Sequence, residues 1–396
     1  MQAREKTRQR RMNIYFKGDI MIKTSAPGKL ILSGEWAVLE VGNPAIVASV
    51  NKRIFANIRD SSDKKIHITI RDFGINDLKA TFEDNKLKFE KKLGEKEKKD
   101  TLFIKSAIES FLNYSGSLKP FKIETWGDKT TVNAGGKVKK VGFGSSAASV
   151  VAVVAGLFKF NLLDINTKKS KDEIYKLSTI AHYFAQEKVG SAFDVAASTY
   201  GGILVYRRFD PGWFVNQFEI GKSIKRIVES DWPGLYIESL NLDMPENFNL
   251  IVGWTRESAS TSDMVRQMNI WKETNKDEYN RILSDIANLV EELITVLKRG
   301  KEGKVLELIR KNEEYLRELG EKSGVNIETK TLKILSDTAD KYGGAGKLSG
   351  AGGGDLGIAV CYNQEIKEKI KEEWKKTGII ELIETGIDFD GFREEF

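Results

Sequence analysis

Over residues 22–70 short apolar, β-branched stretches alternate with Pro27-Gly28, Ser33-Gly34 and Gly42-Asn43-Pro44, the punctuation of strands and turns. Residues 101–114 switch to apolar positions at helical spacing, and 122–132 return to strand-like alternation. Residues 147–160 are so apolar that a helix there must be buried on most sides, and 172–188 predict a further helix. After a strand at 250–252 come two long amphipathic helices separated by Gly300 and Gly303. One face of the first carries Ile282, Leu283, Ile286, Leu289, Val290, Leu293, Ile294 and Leu297; the second carries Val305, Leu306, Ile309, Leu316 and Leu319. The chain reads as α+β.

Length and charge narrow this picture. A chain of 396 residues exceeds what one hydrophobic core usually supports, so two domains are expected. Asp210-Pro211-Gly212 marks a turn at a change of composition and suggests the boundary, giving an N-terminal domain over 21–210 and a C-terminal domain over 211–396. Most of the net charge of +6 lies in residues 1–20, where Arg4, Lys6, Arg8, Arg10, Arg11 and Lys17 face only Glu5 and Asp19. That segment reads as a disordered basic tail. Elsewhere the charges alternate in sign, which argues against a nucleic-acid groove. The single cysteine, Cys361, forms no internal disulfide and fits a buried position in a reducing, cytoplasmic setting. No apolar run approaches the length of a membrane span.

Candidate chemistry centres on Val141-Gly142-Phe143-Gly144-Ser145-Ser146-Ala147-Ala148 at the head of the most apolar helix. Its glycines let backbone approach a ligand, its serines carry hydroxyls, and the helix start offers unpaired N–H groups: the makings of a phosphate site. A buried helix behind a small-residue cap would look the same. The common nucleotide loop is absent, because Gly221-Lys222-Ser223 has Asn216 where its first glycine should be. Two more glycine-bearing segments accompany the turn, Pro27-Gly28-Lys29-Leu30-Ile31-Leu32-Ser33-Gly34-Glu35 and Lys347-Leu348-Ser349-Gly350-Ala351-Gly352-Gly353-Gly354-Asp355. Gly352 to Gly357 also match a dinucleotide fingerprint, but no strand–helix–strand unit follows.

In this order and at this spacing, the segments resemble those of the galactokinase, homoserine kinase, mevalonate kinase and phosphomevalonate kinase (GHMP) superfamily. Gly190-Ser191-Ala192-Phe193-Asp194-Val195-Ala196-Ala197-Ser198-Thr199-Tyr200-Gly201, Gly253-Trp254-Thr255, Ala259-Ser260-Thr261-Ser262-Asp263-Met264-Val265 and the closing Asp355 resemble phosphomevalonate kinases in particular. Phe143 stands where the family often has leucine, and Ala192 where some members have glycine. The resemblance implies an N-terminal domain like the second domain of ribosomal protein S5, with a left-handed crossover, and a ferredoxin-like C-terminal domain.

It also implies transfer of the γ-phosphoryl group of Mg-ATP to (R)-5-phosphomevalonate. ATP would be bound by Lys140, Gly142, Phe143, Gly144, Ser145, Ser146, Ala147 and Gly352, with Mg2+ on Ser146 and Glu187. Lys29 and Asp194 would form the catalytic pair, Asp194 chiefly orienting Lys29. The acceptor would meet Lys29, Ser191, Asp194, Ser260, Thr261, Ser262, Lys347, Gly350 and Ala351, with Lys29 and Lys347 offsetting the repulsion between two phosphate groups. Thr101 and Phe103 are candidate neighbours of the adenine. His67 and His182, lying in no cysteine or carboxylate cluster, read as helix-face or surface residues. The implied partner is the small molecule alone, with no nucleic acid or membrane and the protein a monomer or homodimer. Competing readings are a sibling kinase acting on mevalonate or another alcohol, a diphosphomevalonate decarboxylase, a non-catalytic ligand sensor of the same fold, and RNA binding through the tail.

Overall fold

The computed structural model describes residues 21–116, 119–128, 131–134, 137–186, 190–241, 244–257 and 260–396. The basic tail expected at 1–20 lies outside them. The first layer is a sheet built on β1 (Met21–Ser33) and β2 (Pro44–Asp60), which pair antiparallel along nearly their whole length. Their apolar stretches explain the pairing: Leu30, Val47 and Ile58 are almost wholly buried. β3 (Ile66–Ile70), β4 (Ile75–Glu83) and β5 (Lys86–Phe89) extend the sheet, followed by α1 (Glu95–Ser115) and β6 (Phe121–Gly127). β7 (Thr131–Ala134) and β8 (Lys137–Lys140) form a separate hairpin leading into α2 (Ser145–Phe160). Then come α3 (Lys168–Gln186), α4 (Phe193–Tyr200) and β9 (Ile203–Arg207).

β2 is the spine. Its first half pairs with β9, its second half with β6, and β1 takes the opposite edge. Among the described residues, β3 and β6 are the parallel neighbours of this sheet. The expected burial of α2 on most sides holds, since Val150 to Leu157 are inaccessible to solvent and the helix packs on β1 and β2. α5 (Pro211–Glu219), α6 (Ile224–Glu229) and β10 (Tyr236–Ser239) follow, and β10 pairs with β9.

The turn read at 210–212 is present, with Asp210 accepting from the N–H groups of Gly212 and Trp213 at the start of α5. The packing does not divide there. Phe214, Ile227, Val228 and Trp232 belong to the first core, so residues 211–239 sit with the first layer.

The second layer is a four-stranded sheet of order β12-β13-β11-β14, every pair antiparallel. β11 (Asn249–Trp254) leads into α7 (Thr261–Thr274), α8 (Lys276–Lys298), α9 (Glu302–Ser323) and α10 (Lys330–Lys341). β12 (Ala345–Leu348), β13 (Leu356–Cys361), α11 (Gln364–Lys376) and β14 (Glu381–Ile383) complete a ferredoxin-like arrangement. The apolar stripes of α8 and α9 are buried, although Leu308 takes the core position and Leu306 is only half-buried. The chain then returns to the first sheet. β15 (Arg393–Glu394) pairs with β1, and the buried Arg53 of β2 forms an ion pair with Asp388 and donates to the Gly391 carbonyl at 2.6 Å.

Candidate active site

A cavity of about 820 Å3 opens between the layers, where β1, the starts of α2, α4 and α7, and the β12–β13 loop meet. Lys29 lies on β1 just after a bulge at Pro27/Gly28 and lines the cavity. Its backbone N–H donates to the Phe143 carbonyl at 2.7 Å, hanging the second segment directly on the first. Its ammonium donates to the Gly142 carbonyl at 2.8 Å. Burial lowers the Lys29 pKa, opposed by the carboxylates of Asp194, Asp355 and Glu35. Asp194 thus acts on Lys29 through its field, while the hydrogen bond that orients the ammonium goes to Gly142.

Two of the glycines stand where a side chain would collide with residues of the other segments. Gly144 caps α2 in the left-handed region, at φ 73°. A side chain there would meet the Lys29 Cγ at 3.0 Å and the Asp194 Cβ at 3.7 Å. At Gly142 a Cβ would fall 1.9 Å from the Asp355 Oδ2. Asp355 closes the third segment and its Oδ1 accepts from the Gly142 N–H at 3.2 Å. Burial raises the Asp355 carboxyl, opposed by that N–H and by Lys29. Phe143 and Ala147 are fully buried and can offer a ligand only backbone, whereas Ser145 and Ser146 are half-buried at the helix start.

His182 sits on a helix face, as its sequence reading allows, but that face turns toward the cavity. It is on α3, lines the cavity, and places Nε2 3.4 Å from the Ser146 Oγ, with its ring 5.2 Å from that of Phe103. Spacing could not show this pairing, because the partners lie on different helices.

Ser191 and Asp194 line the cavity at the start of α4, and Thr261 and Ser262 line it at the start of α7. Ser260 serves the helix instead, since its hydroxyl accepts from the Asp263 N–H at 3.3 Å and caps α7. Three helix N-termini therefore open onto one cavity, a field that favours anions.

Gly350, Ala351 and Gly352 form the wall supplied by the third segment. That wall is tied to the first segment by Trp36 Nε1 donating to the Ala351 carbonyl at 3.2 Å, and by the Ser349 hydroxyl, which accepts from Ile31 N and donates to Ile31 O at 3.0 Å each.

Lys347 does not face the acceptor as expected. It is wholly buried, ion-paired with Glu35, and donates to the Leu348 carbonyl at 2.5 Å. Glu35 lines the cavity, and burial raises its carboxyl against the pull of Lys347. The structure thus replaces a phosphate contact by a buried charge pair between the first and third segments.

Lys140 ends β8, but its side chain and the whole of Glu187 lie outside the described residues. Among the described residues no cluster of three or more acidic, histidine or cysteine side chains could cage a metal ion. Hydroxyl and carboxylate oxygens at Ser146 and Asp194 fit magnesium, which keeps several waters and is held largely through substrate phosphates. No described helix is long and apolar enough to cross a membrane.

Comparison with known proteins agrees with this geometry. The model of the GHMP kinase N-terminal domain matches residues 102–202, and that of the GHMP kinase C-terminal domain matches 293–380. A phosphomevalonate kinase of Streptomyces sp. strain CL190 is 30% identical over 374 residues, covering 92% of this chain and 97% of the relative. One from Saccharolobus solfataricus is 29% identical, covering 95% and 99%. The solved structure of Streptococcus pneumoniae phosphomevalonate kinase in complex with phosphomevalonate and AMPPNP superposes with a TM-score of 0.74 at 27% identity, covering 93% of this chain and 99% of that one. With three glycine segments gathered around Lys29, and relatives matched along nearly their full length, the chain belongs to the GHMP kinases, on their phosphomevalonate kinase branch.

Proposed function

We propose that the protein transfers the γ-phosphoryl group of ATP to (R)-5-phosphomevalonate, giving (R)-5-diphosphomevalonate and ADP in the mevalonate route to isoprenoids. The observation that carries this is the meeting of Lys29, Gly142 and Asp355 at one cavity, in a chain whose relatives are phosphomevalonate kinases. An acceptor phosphate oxygen forms the new bond to the γ-phosphorus as the bond to the β,γ-bridging oxygen breaks. That acceptor has a second pKa near 6 and is largely dianionic at neutral pH, so it needs little help from a base. The greater obstacle is bringing one anion onto another.

Lys29 sets a buried positive charge against that repulsion, and the starts of α2, α4 and α7 add their N–H groups. Asp194 and Asp355 keep Lys29 protonated against the cost of burial. The phosphate tail of ATP would lie along the backbone from Gly142 to Ser146, with Gly352 across from it. Ser146 would hold the magnesium ion, which when bound neutralises phosphate charge. Ser191, Thr261 and Ser262 would receive the acceptor.

Packing supports a first folding unit of about 21–240 together with the returning segment near 390, rather than a division at 210. A cytoplasmic location and action as a monomer or homodimer complete the reading. Coupled ADP-release assays with mevalonate, 3-phosphomevalonate and 5-phosphomevalonate test it. Turnover is expected with 5-phosphomevalonate; turnover with another acceptor in its place would move the chain to a sibling activity.

A further inference from the structure

Beyond the residues that line the cavity, the loop before α4 is gripped from behind by two buried side chains. Tyr206, on β9, is wholly buried, and its hydroxyl donates to the Ser191 carbonyl at 2.5 Å. The Tyr175 hydroxyl, on α3, lies 3.0 Å from that of Tyr206. With the Tyr206 proton committed to Ser191, Tyr175 is the donor of this pair. Arg208, just past β9 and only 6% exposed, donates to the Gly190 carbonyl at 3.2 Å and to the Leu39 carbonyl at 2.6 Å. Two successive carbonyls of the loop are thus held from the same strand end.

The next residue shows what the grip resists. Ala192 sits in the left-handed region at φ 61°, where a residue with a Cβ is disfavoured, and it caps the helix that carries Asp194. If the two carbonyls were released, Ala192 would relax toward ordinary backbone angles and swing Ser191 and the Asp194 carboxylate away from Lys29. The Leu39 contact extends the same clamp to the turn after Glu35 and Trp36. Burial raises the Tyr206 phenol well above its ordinary value, so it stays a donor throughout the working pH range.

We propose that Tyr206 and Arg208 are positioning residues for phosphoryl transfer, holding the loop at 190–192 in the one conformation that sets Ser191 and Asp194 against the acceptor. The inference rests on the acceptor assignment made above.

The test is Tyr206→Phe, which keeps the ring and removes the hold on the Ser191 carbonyl. Expected are a rise of about tenfold in KM for 5-phosphomevalonate, the effect of one lost buried hydrogen bond, and a KM for ATP within about twofold of the parent. Backbone hydrogen exchange in the peptide covering 190–200 should quicken in the full-length protein without ligand. Arg208→Lys, which cannot span both carbonyls, should give the same pattern and serves if Tyr206→Phe folds poorly. Unchanged exchange at 190–200, or an equal loss in both KM values, would overturn the clamp. Failure of the parent protein to use 5-phosphomevalonate would overturn the acceptor assignment instead, while the exchange measurement would still decide the clamp.

Discussion

Gly142 and Asp355 are 213 positions apart in sequence, yet the aspartate accepts the glycine N–H at 3.2 Å and leaves no room for a side chain between them. This contact joins the turn at the head of α2 to the loop between β12 and β13, so the two layers meet where the chemistry is proposed to occur.

Replacing Gly142 by alanine drives a methyl group into the carboxylate of Asp355. Gly142→Ala is expected to lower kcat/KM by about a hundredfold, the cost of displacing a positioned group. Adding Asp355→Ala opens the space and should recover part of the loss in the same ADP-release assay. A double variant worse than the single one would show that the clash is not the cause.

Lys29 is expected to lose its proton below the ordinary lysine value of 10.5, because burial outweighs its carboxylate neighbours. Activity should therefore fall on the alkaline side before pH 10.5. Stability should rise over the same interval, since the unfolded lysine binds a proton that the folded one has released. Lys29→Met should reduce kcat about a thousandfold. Asp194→Asn removes a charge that favours the ammonium, so the alkaline limb should shift to still lower pH with a smaller loss of rate. Loss of an acidic limb in Asp194→Asn would instead identify Asp194 as a general base.

Glu35 and Lys347 form a buried pair, and removing one partner strands the other. Glu35→Gln is expected to cost about 3–5 kcal/mol in urea unfolding, the usual penalty for an uncompensated buried charge. A loss below about 1 kcal/mol would mean that Lys347 reaches solvent or another carboxylate.

Glu313, on α9, accepts from the Leu348 N–H at 3.1 Å, and burial pushes its carboxyl up to about 8. The folded state then holds a proton that the unfolded state has lost, so this group favours the fold at low pH. Its contribution drains away as pH climbs from 4.5 to about 8, by at most about 1.4 kcal/mol per pH unit. Glu313→Gln should flatten that decline, as thermal melts across the interval would record.

His182 faces Ser146 from α3. His182→Ala should raise KM for ATP several-fold, the scale of one modest hydrogen bond, with little change in KM for the acceptor. Nucleotide binding measured calorimetrically without acceptor isolates the effect, and unchanged affinity would return His182 to a packing role.

Periodicity locates the long helices and β11, because an apolar stripe or alternation is a local property of the chain. The three glycine segments are legible for a related reason: each marks a place where backbone must come close to something. What they approach is not legible. Lys347 reads as a phosphate contact until Glu35, 312 positions earlier, is seen to neutralise it. Asp355 stands in the sequence as a family signature, but its role as the partner of Gly142 and Lys29 follows only from the folded geometry. Ser260 reads as a ligand contact, although serine before an acidic first turn equally describes a helix cap. A boundary at 210 does not match the packing because a turn records where the chain bends, whereas core membership depends on what Phe214 and Trp232 later touch.

The return of the chain to β1 orders events during synthesis. Arg53 finds its counter-ion 335 residues downstream, at Asp388, and β15 covers the edge of β1 at Thr24 and Ser25. Until residues 388–394 return, Arg53 lacks its partners at Asp388 and Gly391, and the β1 edge at Thr24 and Ser25 keeps exposed strand donors and acceptors. The first layer, although translated early, is completed only when residues 388–394 come back to it.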